Sequence, residues 1–226
     1  LPSFGSMAQA FSDYALTADP RSGRYLFWAD TWASLRRIGL ALALSASLSL
    51  VIALAIGAIP RVRALLSPLL STVAMIPPLA MLPILFIVLG LEETAKVSLI
   101  IIGILPLMAR DLALRIAELP EEMLVKAQTL GASTWQLVTR VMLPQTLPRL
   151  IDSLRLNMGS AWLFLIAAEA IASTEGLGYR IFLVRRYLAM DVILPYVAWI
   201  TLLAVGTDLL LRLLRARAFN WAEPGR

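Results

Sequence analysis

The sequence predicts an all-α, polytopic membrane helical bundle, and three observations carry that prediction. Of its 226 residues, 59% are hydrophobic and 15% charged, with a mean hydropathy of +0.79. A soluble domain has about 45–50% apolar and about 25% charged residues. The apolar residues also gather into long uncharged runs, of which residues 38–59 are the plainest case. Finally, five such runs occur in order, each long enough to cross a hydrocarbon core that takes about 20 helical residues.

The same composition excludes several chemistries. There is no Cys and no His, so disulfides, thiol nucleophiles, thiolate metal sites and imidazole acid–base catalysis are out. No metal site and no catalytic set is expected. The Gly-rich loop ending in Lys and Ser/Thr that cradles ATP phosphates is missing from the sequence. ATP-driven work must therefore be coupled in from another polypeptide, and the chain is expected to hold no cofactor. A net charge of +5 in so apolar a chain indicates basic membrane edges rather than nucleic-acid binding.

Residues 1–35 read as an amphipathic and loop segment on the outer side, ahead of a transmembrane domain at 36–222. Residues 1–6 carry no signal peptide. Tyr25, Phe27, Trp28 and Trp32 precede the first apolar run, either as an interfacial belt or as ordinary packing. The first span, 38–59, is bracketed by Arg36 and Arg37 before it and by Arg61 and Arg63 after it. The second, 64–91, carries Pro68, Pro77, Pro78 and Pro83. Prolines in a span free backbone carbonyls, so such a helix faces protein or a water-filled path. The Pro77, Pro78 pair is expected to bend or break it near mid-membrane. The third span, 94–117, ends on Arg110, Asp111 and Arg115, which can reach the surface or pair with one another. The fourth, 156–174, is entered by a helix with Pro148 in its first turn. A polar connection over 175–191 holds Gly176, Gly178, Arg180, Arg185 and Arg186, and the fifth span, 192–214, closes on Arg212, Arg215 and Arg217.

Residues 118–144 are the one long interval too charged for a bilayer. They read as two short helices around a break. Pro120 suits a first helical turn, and Glu121 with Glu122 sit where the helix dipole favours anions. Leu119, Met123, Ala127 and Leu130 form an apolar stripe at helical spacing. Gly131 stops that helix. Ser133 with Gln136 is a capping-box pattern that starts the next, which is expected to end before Pro144.

Five spans fix alternating sides. Placing 118–144 and the C-terminus in the cytoplasm puts 12 of the 20 Lys and Arg residues inside, Arg226 among them. That agrees with the positive-inside rule, although Arg36 and Arg37 then lie outside. Residue 1 also lies outside in this orientation, so one more span is expected before it.

The run Ala127, Gln128, Thr129, Leu130, Gly131, Ala132, Ser133, followed by Val141, Met142, Leu143, Pro144, resembles the cytoplasmic Glu-Ala-Ala loop of bacterial ABC importer permeases. The spacing from Gly to Leu-Pro matches in full. The front departs: Val125 stands at the Glu position and Lys126 at the first Ala, with Ala127 retained. Residues 76–83, with the Gly90 to Lys96 stretch, and Ala167, Ala168, Glu169 with Gly176 to Tyr179, are similar to the nitrate, sulfonate and taurine branch of these permeases. The resemblance implies the type I importer permease fold and a transmembrane subunit of the bacterial inner membrane. The implied partners are separate ATP-binding ATPase subunits docked on 118–144, a second permease subunit in a homodimer, and a periplasmic or lipid-anchored solute-binding protein. The implied solute is a small anion or polar compound such as nitrate, a sulfonate, taurine or a urea-like amide. The implied docking residues are Leu119, Met123, Ala127, Leu130, Gly131, Ala132 and Ser133.

Glu169 stands in an otherwise apolar span, either as a pathway or gate residue or as a structural hydrogen-bonding group. Met75, Pro77, Pro78, Met81, Asn157 and Trp162 are further candidates for lining the pathway, Asn157 also for an interhelical hydrogen bond. Asp208 is expected to pair with Arg212 one turn on. The alternative function is an ion-coupled secondary transporter, a class that needs several intramembrane ionisable groups and internal repeats.

Overall fold

The computed structural model describes residues 2–20 and 22–222; Arg226, counted on the inner side, lies outside them. The chain is helical throughout these residues. After a short α1 (Phe4–Ala15), capped by the Ser3 hydroxyl, come α2 (Leu26–Ala58) and α3 (Pro60–Val73). A 3₁₀ turn at Pro78–Met81 leads into α4 (Leu82–Leu89), and α5 (Glu93–Ala117) follows. Next are α6 (Glu121–Thr129), α7 (Thr134–Leu137), α8 (Leu143–Ala172), α9 (Leu177–Arg185) and α10 (Met190–Ala218).

Four helical stretches are long and apolar enough to cross a membrane, and there are five if the interrupted pair α3 and α4 counts as one span. Helix α3 stops at Val73 and helical structure resumes only at Pro78. The expected break at the proline pair is therefore present. Neither proline can donate to a helical carbonyl, and Pro78 disfavours helical backbone at Pro77.

Three expectations need correction. The second helix of 118–144 does not end before Pro144. It widens into a π turn at Val138–Met142 and runs on, so that Thr134–Ala172 forms one 39-residue span. Pro144 falls directly after the wide turn, at the register change within this continuous helix. Pro148 consequently lies inside α8 rather than in its first turn. The polar connection after the fourth span is itself mostly helix, since α9 occupies Leu177–Arg185. Its N–H groups have partners that local sequence does not reveal.

The helices divide into two compact units, neither continuous in sequence. One takes the N-terminal part up to Ala41 with Pro78–Ile100 and Gly159–Thr207; the other takes Leu42–Pro77, Ile101–Met158 and the C-terminal part from Asp208. Within the first, Phe27 is fully buried among Phe11, Trp28, Tyr196 and Trp199, with ring centroids 5.1–5.4 Å from its own. Such edge-on aromatic packing adds to simple burial. Trp32 stays 70% exposed, so the aromatic run splits between core and surface.

Within the second unit, Ala53, Leu112, Ile116, Leu137 and Met142 form a core. Gly57 lets α2 approach α5 closely, since a Cβ there would overlap Ile116. Two cross-helix ion pairs join α8 to α10: Arg155 to Asp208, through two hydrogen bonds of 2.8 and 3.2 Å, and Arg215 to Asp152 at 3.0 Å. Asp208 thus pairs with Arg155 rather than with Arg212. A bidentate guanidinium contact is stronger than a single contact along one helix.

Candidate functional site

Residues 118–144 form a bracket with an anchored side and an open side. Leu119, Leu124 and Ala127 pack against the Ala53, Leu112, Ile116 core, and Leu137 is part of it. Met123, Val125, Leu130 and Trp135 point the other way, with Leu130 88% and Trp135 74% exposed. The stripe read from spacing therefore does not act as one face. Leu119 and Ala127 are half-buried against that core, and the exposed apolar surface comes from Met123 and Leu130 together with Val125 and Trp135, two residues outside the stripe.

The break between α6 and α7 is built from backbone and caps. Gly131 has φ of +84°, a left-handed conformation that costs other residues about 1–2 kcal/mol. Ala132 N–H donates to the Ala127 carbonyl at 3.0 Å and Gly131 N–H to that of Gln128 at 2.9 Å. This is the paired closure of a Schellman ending. Ser133 and Gln136 then form the expected capping box: Gln136 N–H donates to the Ser133 hydroxyl at 3.3 Å, and Ser133 N–H to the Gln136 side chain at 2.9 Å.

The second feature is a buried ionic layer around Glu169. Asp30, Ser34 and Arg37 lie at successive turns of α2, so one helix face carries all three. Each is essentially buried. Asp30 and Ser34, together with Glu169, accept from three consecutive N–H groups at the start of α9. Gly176 N–H donates to Asp30 at 2.9 Å, Leu177 N–H to the Ser34 hydroxyl at 2.9 Å, and Gly178 N–H to Glu169 at 2.9 Å. These N–H groups have no intrahelical acceptor, and carboxylates are favoured at a helix N-terminus.

Arg37 links the layer together. Its Nη1 donates to Glu169 and to the Glu175 carbonyl, both at 2.8 Å, while Nε and Nη2 grip Glu93 at 2.6 and 2.7 Å. Ser34 donates to Glu169 at 2.8 Å, and Lys96 reaches Glu93 at 3.0 Å. Arg180 on α9 holds Asp30 at 2.7 Å. Burial is the largest single influence and opposes its charge, but the hydrogen bond to Asp30 together with the negative charge of Asp30 keeps its pKa above the ordinary arginine value. Gly176 has φ of +128°, and a Cβ there would sit 2.5 Å from Glu169 and 2.7 Å from Arg37.

Of the candidate pathway residues, Glu169 is fully buried with every partner inside the protein. Asn157 donates to the Ser153 carbonyl of its own helix at 2.9 Å, not across helices, because a one-turn reach needs no neighbour. Trp162 is buried, with an indole N–H that lacks a hydrogen-bond partner among the described residues. Met75 is 78% exposed, Pro77 is exposed, and Pro78 and Met81 are half-buried.

Asp30, Ser34, Glu93, Lys96 and Arg180 were not singled out as site residues from sequence. The available signal was charge: Asp30, Arg37 and Glu93 flank apolar runs where a lone charge is costly. Arg37 pairs with Glu93 and Glu169, and Arg36 lies 3.5 Å from Glu93.

Residues 45–220 match the family described as binding-protein-dependent transport system inner membrane component. The taurine transport system permease protein TauC of Escherichia coli (strain K12) is 37% identical over 86% of this chain and 70% of its own length. The putative aliphatic sulfonates transport permease protein SsuC of Bacillus subtilis (strain 168) is 28% identical over 83% and 68%. A chain from inward-facing crystals of the MetNI methionine ABC transporter superimposes with a TM-score of 0.73 at 17% identity, covering 91% of this chain and all of that one. A chain of a bacterial alginate ABC transporter gives 0.72 at 15% identity, over 98% and 88%. The fold is thus that of importer membrane subunits, and the chain belongs to the family of binding-protein-dependent transport system inner membrane components. It is a multi-pass transport subunit, not an enzyme, and the comparisons support the importer rather than the ion-coupled carrier.

Proposed function

We propose, with that membership as the premise, that residues 118–144 couple this permease subunit to a separate ATPase. One observation carries the reading: the bracket is fixed to the chain's own core through Leu119, Leu124, Ala127 and Leu137, yet it presents Leu130 and Trp135 outward. An exposed apolar helix end between spans is a ligand for a groove on another protein. The capped break at Gly131 makes it a stiff lever rather than a mobile loop. In this reading 118–144 and the C-terminus face the cytoplasm, and ATP is bound by the ATPase subunits. Two copies of the permease enclose the pathway, and a solute-binding protein delivers from the other side. ATP-driven closure of the ATPases moves the bracket, and the spans alternate between inward and outward access.

The solute proposed is a small oxyanion-bearing compound of the kind named for the relatives: taurine, aliphatic sulfonates and, for the permease protein CmpB of Synechococcus elongatus, bicarbonate. The test co-expresses the chain with its candidate ATPase and measures co-purification and ATP-dependent uptake in proteoliposomes. Leu130→Asp is expected to lower ATPase retention by about ten-fold, the equivalent of about 1.4 kcal/mol. Unchanged retention in that variant, or uptake that proceeds without ATP, would refute the coupling role.

A further inference from the structure

We infer that the cavity between α3 and α5 is a binding site for an oxyanion, either the acidic head of a solute or the phosphate of a lipid. Its volume is about 300 Å³, the lower end of the range of about 300–1,000 Å³ seen for small-molecule sites. Arg63, Ser67 and Ser71 line it from α3, one turn apart, so a single helix face carries a guanidinium and two hydroxyls. Arg110 lines it from α5, and the remaining wall is apolar, formed by residues such as Ile56 and Ala113.

No carboxylate lines this cavity, and neither arginine has an ion-pair partner among the described residues. Arg63 makes two long hydrogen bonds, 3.3 and 3.4 Å, to the carbonyls of Ile56 and Gly57 at the end of α2. A guanidinium has five N–H donors, so most of the donor capacity of Arg63, and all of that of Arg110, has no acceptor among the described residues, and both side chains are exposed at the cavity. Helical Ser and Thr hydroxyls commonly bond back to a carbonyl of the preceding turn. Thr72 does this at 3.0 Å to Pro68, while the hydroxyls of Ser67 and Ser71 make no such bond among the described residues. Two uncompensated guanidinium groups and two available hydroxyls around an apolar-walled space match an anion carrying several acceptor oxygens. Arg37, Arg155 and Arg180, by contrast, are each held by a carboxylate.

The solute version of this site rests on the proposed import of small oxyanions; the site itself does not. The test uses the full chain without ATPase or binding protein, so a failed coupling reading leaves its readouts intact. In one arm, the chain in neutral phosphatidylcholine nanodiscs is titrated with radiolabelled sulfate. Saturable binding is expected, weakened about ten-fold or more by Arg63→Gln and by Arg110→Gln. Arg110→Lys is expected to recover part of it, and Arg217→Gln to leave it unchanged. In the other arm, native mass spectrometry counts phosphatidylglycerol retained on the chain extracted from membranes containing that lipid. Sulfate binding without lipid retention supports a solute site. Retention lost in the arginine variants, with no sulfate binding, supports a headgroup site, and competition between the two supports one site serving both. If neither readout differs between the wild type and a folded Arg63→Gln/Arg110→Gln variant, the proposal is overturned.

Discussion

The ionic layer around Glu169 and the bracket at 118–144 invert the usual arrangement of charge and oil. In the layer, Asp30, Arg37 and Glu169 are buried, Glu93 is half-buried, and each has its partner within the protein. In the bracket, apolar side chains stand exposed while the polar groups at the Gly131 break are satisfied by one another. A buried charge in an apolar chain marks a joint when its hydrogen bonds close, as those of Glu169 do. It marks a passage only when acceptors or donors are left over. The exposed apolar residues of the bracket are the unfinished part, and unfinished surfaces are where partners are recruited.

The widest expected gap between the two regions comes from Arg37→Met. It leaves Glu169 buried without its counter-charge, and removing one partner of a buried pair costs about 3–5 kcal/mol. A thermal or denaturant unfolding series in detergent should show that loss, with partial recovery in Arg37→Met/Glu169→Gln. Wild-type stability in the single variant would mean that the layer is not a joint. Gly176→Ala comes next, because the new methyl group meets both Glu169 and Arg37 at a backbone conformation disfavoured for alanine. A loss of about 3 kcal/mol is expected, at the upper end of the range for local backbone strain. The same unfolding series reads it.

Gly131→Ala sharpens the comparison from the other side. No neighbour stands within 4 Å of a Cβ there, so only the positive φ is penalised, by about 1 kcal/mol. Its effect on ATPase retention should exceed that modest cost in stability, because the angle between α6 and α7 depends on it. Leu130→Asp should be the mildest for stability, within about ±0.5 kcal/mol as for ordinary surface changes, while assembly with the ATPase falls. If Leu130→Asp unfolds the chain instead, the open side of the bracket is part of the core and the contrast collapses.

Much of the architecture was legible in the chain. Five apolar runs, the proline pair, the Gly131 break and the capping box are local properties, governed by composition and hydrogen-bond geometry within a few residues, and each appears where expected. The continuous helix across Pro144 was not legible, since a π turn is a register change that spacing alone does not announce. Nor was the division of the Leu119, Met123, Ala127, Leu130 stripe. Helical spacing says which residues share a face, not which part of that face another helix covers.

By itself, the sequence determined that this is a multi-span helical membrane subunit with a capped, apolar-edged element between spans. Those features follow from the cost of exposing polar backbone in oil and from short-range capping. Only the tertiary structure decided what the charges do. Glu169 lies 132 residues from Arg37 and 135 from Ser34, and no local rule joins groups so far apart in sequence. Packing α2 against the turn that leads into α9 closed the hydrogen bonds of Glu169, a residue legible as either gate or joint. Packing α3 against α5 left Arg63 and Arg110 around a cavity with no counter-charge among the described residues. Whether a charge is consumed or left available depends on which helices meet, and that is settled by burial summed over the whole chain.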